Sequence, residues 1–301
     1  MSLYDDARHM DVLLGGGVVS LCVAHFEAHP DTKAPRRFLL IHGNPGHMDT
    51  WAPTVAVLRR YGQVAAFDLP GFGRSGDVPP QALGLGPLAD ATMAVADALG
   101  WEGAVDVVGH SHGGAVAQFV ATRYPGRVSS LTLLATLGYP VTWSYRLLQL
   151  PGLSKALYLG GKLMSWSWLM PWSAASVATF MAPLFMPEGL PPGVVMDETQ
   201  RLAGRPDILL NMARLTQGAP WKALMGNAPQ IAAPTVFIHG AAEMIVPVPQ
   251  ARAVYDVVRM NNPLARFVTL PGAGHMLPFF HAEAVVQTMA RCLGWENTND
   301  A

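Results

Sequence analysis

Ser111 lies in the run Val107-Val108-Gly109-His110-Ser111-His112-Gly113-Gly114, with a glycine two positions to either side. A serine hydroxyl is a weak nucleophile until a neighbouring base takes its proton. Its setting gives the pattern meaning: the apolar run 105–108 reads as a buried strand, and 115–124 has helical spacing. A turn that tight needs small flanking residues, which accounts for Gly109 and Gly113. It lifts the hydroxyl above the sheet edge at a helix N-terminus, where free N–H groups and the helix dipole favour negative charge. The backbone N–H of His112 is one donor for an oxyanion formed there. The base expected for Ser111 is His275. It closes the run Pro271-Gly272-Ala273-Gly274-His275 and, of the ten histidines, is the one that follows a strand in a glycine-rich context late in the chain.

The segment His42-Gly43-Asn44-Pro45-Gly46 directly follows the strand-like run 38–41. With it the chain resembles the α/β-hydrolase family. The resemblance implies that the backbone N–H of Asn44 is the second oxyanion donor, a group whose loss typically costs about 3–4 kcal/mol of transition-state stabilisation. Asp68-Leu69-Pro70-Gly71-Phe72-Gly73-Arg74-Ser75-Gly76 looks like the family's turn after the next strand, and Asp68 is read as holding loop backbone. The Pro271–His275 run is similar to the family's catalytic histidine segment. His239-Gly240-Ala241-Ala242-Glu243-Met244-Ile245-Val246-Pro247 looks like its acid loop, with Glu243 where aspartate is usual. Glutamate is an allowed variant of this triad, one methylene longer. The family's other acid position, after the run 131–134, carries Ala135, Thr136 and Leu137 and no carboxylate. The order Ser111, Glu243, His275 is the order this fold uses.

The elements that must position these groups alternate. Runs 38–41, 64–67, 105–108, 131–134, 235–238 and 267–270 read as strands; 51–61, 88–99, 115–124, 250–258 and 282–292 read as helices. Ahead of them, 12–14 and 18–26 flank a triple glycine and read as a hairpin. Alternation of this kind means a mostly parallel central sheet with helices on both faces. The resemblance, which covers about 38–137 and 235–292, implies the α/β-hydrolase fold with an inserted helical cap. The expected division is core 1–137, cap 138–221 and core 222–301. The cap segment is rich in tryptophan and methionine and is broken by prolines, so Trp143, Trp166, Met170 and, from the acid loop, Met244 are the expected substrate-binding residues.

Half of the chain is hydrophobic and only 14% is charged, against about 25% in ordinary soluble chains. With a mean hydropathy of +0.24, either much of the surface is apolar or a large apolar cavity is lined. A net charge of −1 gives no electrostatic footprint for nucleic acid or acidic lipid. The stretch 166–172 is apolar and aromatic, but Pro171 interrupts it and basic residues are few, so membrane docking is not expected. The N-terminus lacks an apolar core of the secretory type, which points to a cytoplasmic protein. Cys22 and Cys292 match no metal-ligand spacing and are not expected to pair. No metal or organic cofactor is implied. The expected partner is a hydrophobic small-molecule substrate, and the expected chemistry is hydrolysis of an ester-like bond through an acyl-enzyme. Acyl transfer, thioester cleavage, C–C bond hydrolysis and perhydrolysis remain open on the same triad, as does a ligand receptor built on the same fold.

Overall fold

A computed structural model describes residues 2–33, 35–44, 46–138, 152, 156, 159, 205, 207–216 and 220–295. Its centre is one eight-stranded sheet in the order β1-β2-β4-β3-β5-β6-β7-β8. The strands are β1 (Ala7–Leu14), β2 (Gly17–Phe26), β3 (Arg36–Ile41), β4 (Gly62–Phe67), β5 (Val105–His110), β6 (Val128–Leu134), β7 (Thr235–Gly240) and β8 (Arg266–Leu270). The β1–β2 and β2–β4 pairs are antiparallel, and every other pair is parallel. Among the described residues the helices are α1 (Ala52–Leu58), α2 (Leu85–Ala98), α3 (His112–Arg123), α4 (Asp207–Thr216), α5 (Pro220–Asn227), α6 (Val248–Asn261), α7 (Leu277–Phe280) and α8 (Ala282–Leu293). None of them is long and apolar enough to cross a membrane.

The alternation of side chains along each strand divides the interior into two layers. Leu39, Ile41, Val107, Leu131, Leu133 and Phe237 face one way and join Leu88, Val116 and Val120 of α2 and α3. Phe38, Leu40, Val108, Leu134, Val236 and Ile238 face the other and join Val55, Leu58, Val285 and Met289 of α1 and α8. Burial on both faces is why these strands read as continuous apolar runs rather than as alternating ones. The parallel register sets Ile41 beside Gly109, His110 beside Leu134, and Leu134 beside Ile238. The ends of β3, β5, β6 and β7 therefore lie level, and the loops that leave them open on one edge of the sheet.

The expected fold class is the one observed. Differences lie at element ends. β1 begins at Ala7, ahead of the expected 12–14, because an edge strand exposes alternate polar residues and lacks an apolar run. The short helix α7, just past His275, was not expected. Helix α1 is preceded by a 3-10 turn at Met48–Trp51. Both cysteines are free, as expected. Most of the expected cap, 138–221, lies outside the described residues. Of its stated substrate contacts, Trp143, Trp166 and Met170 lie there too.

The glycines of the β5–α3 turn are fixed by close approach. A Cβ on Gly113 would run into the carbonyl oxygens of Ile41 and His42, and one on Gly109 into the carbonyl of Gly113. These are backbone atoms and cannot swing aside. Gly113→Ala is expected to lower stability by about 1–3 kcal/mol or more, read as a drop in thermal melting temperature. A melting temperature equal to wild type would show that the helix can lift off β3.

Candidate active site

Ser111 sits between the last residue of β5 and the first of α3 with φ 54 and ψ −118. L-residues rarely adopt such a backbone, and holding one there costs on the order of 1–3 kcal/mol. The surroundings over-determine it. The Ser111 N–H donates to the Leu134 carbonyl at 2.8 Å, and its own carbonyl accepts from Gly114 N–H at 3.0 Å and Leu137 N–H at 3.3 Å. The end of β6, the loop that leaves it and the first turn of α3 thus hold one residue.

The loop after β3 is packed against that turn. A Cβ on Gly43 would lie 3.1 Å from the Ser111 Cβ and 3.1 Å from His110 Nδ1, so only a glycine leaves the two loops in contact without displacement. His42 is fully buried. Its Nε2 accepts from Leu69 N–H at 2.9 Å, so its proton is on Nδ1, which donates to the Gly43 carbonyl at 2.7 Å. That bond fixes the peptide leading into Asn44. Asp68 braces the same region from the next loop: Oδ1 accepts from Met48 N–H at 2.8 Å, and Oδ2 from Arg74 N–H at 2.7 Å and the Tyr4 hydroxyl at 2.9 Å. Burial pushes the Asp68 carboxyl above its usual range, against the pull of those donors. The structure thus gives Asp68 the backbone-holding part expected of it.

Glu243, after β7, and His275, after β8, meet in a buried hydrogen bond, Nδ1 to Oε2 at 2.7 Å. A carboxylate oxygen accepts, so Nδ1 carries the proton and a neutral ring keeps its lone pair on Nε2. The other carboxylate oxygen, Oε1, accepts from Ile245 N–H at 2.7 Å and Val246 N–H at 3.1 Å. Burial alone would raise the Glu243 carboxyl. The charge and hydrogen bond of His275 and the two backbone donors outweigh it and hold the group down at about 2. The extra methylene of glutamate is accommodated because the carboxylate folds back over its own loop.

Of the expected site residues, Glu243 and His275 are brought together, and Ser111 occupies the strained turn. Gly43, the residue before Asn44, packs against that turn, and His112 opens α3. Neither ring nitrogen of His112 has a hydrogen-bond partner among the described residues. Met244 is exposed, at 64%, on the loop beside Glu243. Two histidines were missed. His110 Nε2 donates to the His275 carbonyl at 2.8 Å, and His239 Nε2 to the Val246 carbonyl at 2.7 Å. The available signal was position: both stand at the end of a buried parallel strand, a costly place for an imidazole without a task.

A family model described as alpha/beta hydrolase fold matches residues 36–282. The chain belongs to this family. It is similar to the dihydrolipoyllysine-residue acetyltransferase component of the acetoin cleaving system of Pseudomonas putida, 28% identical over 266 residues, 83% of this chain and 61% of that protein. It is also similar to the pimeloyl-[acyl-carrier protein] methyl ester esterase of Pseudoalteromonas atlantica, 38% identical over 99 residues, 33% of this chain and 36% of that one. The chain spans less than two thirds of the length of either. Among solved structures, a thermophilic esterase from Thermogutta terrifontis superposes with a TM-score of 0.73 at 22% identity, covering 96% of this chain and 98% of that one. At that identity the likeness establishes the α/β-hydrolase fold.

The Glu243 carboxyl titrates at about 2 in the folded chain, against an ordinary value of 4.5. Its contribution to stability is therefore fully present above about 4.5 and is lost as the pH falls through about 2. Melting temperatures of wild type and Glu243→Gln are expected to converge as the pH is lowered through that window. A gap that stays constant down to pH 2 would show that the carboxylate charge adds nothing to the fold.

Proposed function

We propose that the protein is a serine hydrolase that cleaves an ester-like bond of a hydrophobic small molecule through an acyl-enzyme on Ser111. The observation that carries the reading is the buried Nδ1–Oε2 bond of 2.7 Å between His275 and Glu243. It selects the tautomer in which Nε2 is a base, the one needed to take a proton from a serine hydroxyl. In this reading His275 Nε2 takes the Ser111 proton as Oγ attacks the carbonyl carbon. Glu243 stabilises the imidazolium by its charge and remains ionised. The oxyanion is received by the backbone N–H groups of Asn44 and His112, donors whose direction is fixed before substrate arrives. The imidazolium then protonates the leaving group, the acyl–oxygen bond to it breaks, and a water activated by the same imidazole releases the acid from Ser111.

An ester-like bond is favoured because a serine nucleophile reacts at an acyl carbon, and because esterases recur among the similar proteins. A hydrophobic substrate is favoured by the composition of the chain and by the exposed Met244 next to the acid. Release from p-nitrophenyl esters of increasing acyl length is the direct test. Ser111→Ala is expected to lower kcat by about 10⁴-fold or more, and Glu243→Gln by roughly 10³–10⁴-fold with a smaller effect on KM. Undiminished turnover in Ser111→Ala would assign the chemistry to another group and overturn the reading.

A further inference from the structure

One connected set of hydrogen bonds runs from β7 to β5 through the acid and the histidine. His239 Nε2–H donates to the Val246 carbonyl at 2.7 Å, and Val246 N–H donates to Glu243 Oε1 at 3.1 Å. Glu243 Oε2 accepts from His275 Nδ1–H at 2.7 Å, and the His275 carbonyl accepts from His110 Nε2–H at 2.8 Å. Both backbone groups of Val246 are thereby held, and His275 is held at its ring and at its carbonyl.

Resting on the serine-hydrolase reading, we propose that His110 and His239 are positioning residues that clamp the two loops bearing the Glu243–His275 pair, so that the pair keeps its bond while His275 gains and loses a proton. Four observations support this. Each clamp stands on a strand of the sheet interior, β5 and β7, with only β6 between them. Each partner is a carbonyl oxygen, which can only accept, so each ring is committed to donating from Nε2. Each ring is buried, and burial above all holds both below the ordinary imidazole range, His110 at about 3. Both therefore stay neutral beside an imidazolium that forms and disappears. The His110 ring is also wedged in place, 4.8 Å from the His275 ring on one side and edge-to-face with Trp51 at 6.5 Å on the other.

A histidine that merely fills the core would be replaceable by any side chain of its size, whereas a clamp requires an N–H at the reach of Nε2. Glutamine supplies an amide N–H near that reach, asparagine falls one methylene short, and phenylalanine fills the volume with no donor. The test compares wild type with His110→Gln, His110→Asn and His110→Phe, and with the same set at His239. The first readout is the rate at which a fluorophosphonate labels Ser111, which reports nucleophilicity with no choice of substrate. The second is the low-field Nδ1 proton resonance of His275, which reports the pair with no turnover. Expected are a loss of labelling rate of about 10–100-fold in the asparagine and phenylalanine variants, loss of the low-field resonance in both, and recovery of most of each signal with glutamine. Where phenylalanine prevents folding, the glutamine and asparagine variants, one methylene apart, decide. Equal loss in glutamine and asparagine, or wild-type labelling in folded phenylalanine variants, would overturn the clamp. A wild type that resists the probe yet shows the resonance, lost with asparagine and kept with glutamine, would overturn the serine reading and leave the clamp standing.

Discussion

The whole site hangs on one unfavourable backbone. Ser111 is held at φ 54 and ψ −118, and the chain keeps it there because every alternative would break packing elsewhere. Relaxing the turn would pull α3 away from β3, where Gly113 rests on the Ile41 and His42 carbonyls. It would also break the bond from Ser111 N–H to β6. The strain is offset by a sheet whose inner strands are buried on both faces, and that is why the elbow needs a large fold around it. The glycines, the level strand ends and the two core layers are consequences of that requirement.

A second constraint acts on polar groups. Around the elbow the chain buries carboxylates and imidazoles that water can no longer solvate, and with the exception of His112 those described above have a partner. The solution is repeated: a buried side chain takes the backbone groups of the loop that follows a strand. His42 holds the Gly43 carbonyl, His239 the Val246 carbonyl, Asp68 the Met48 and Arg74 N–H groups, and Glu243 the Ile245 and Val246 N–H groups. Loops that would otherwise be the most mobile part of such a sheet are tied to it by groups that have no lower-energy alternative in a dry interior.

The sequence made the α/β architecture, the glycine-flanked serine turn and the place of His275 after a strand legible, because each depends on local pattern: apolar runs, paired glycines, and a histidine after a strand. Glu243 was identified by resemblance, and the manner in which it fits was not legible, since it depends on two N–H groups within its own loop. His110 and His239 escaped for a related reason. Their importance lies in the carbonyls of residues 165 and 7 positions away, a relation that no periodicity encodes. β1 escaped because an edge strand, paired on one side only, is free to alternate with polar residues.

Low charge content and a site of this construction belong together. Fixed charges buried near Ser111 would have to be desolvated at several kcal/mol each. Here the groups around the pair include backbone amides and imidazoles kept neutral by burial, and the ionised Glu243 carboxylate is held by three donors, two backbone N–H groups and a ring N–H, and by the charge of His275. In the proposed reaction charge would appear on an acyl oxygen and on His275, and would meet dipoles already oriented by the sheet. A preorganised, weakly charged arrangement of that kind gains most from transient charge separation because little reorganisation remains to be done when the charge arrives.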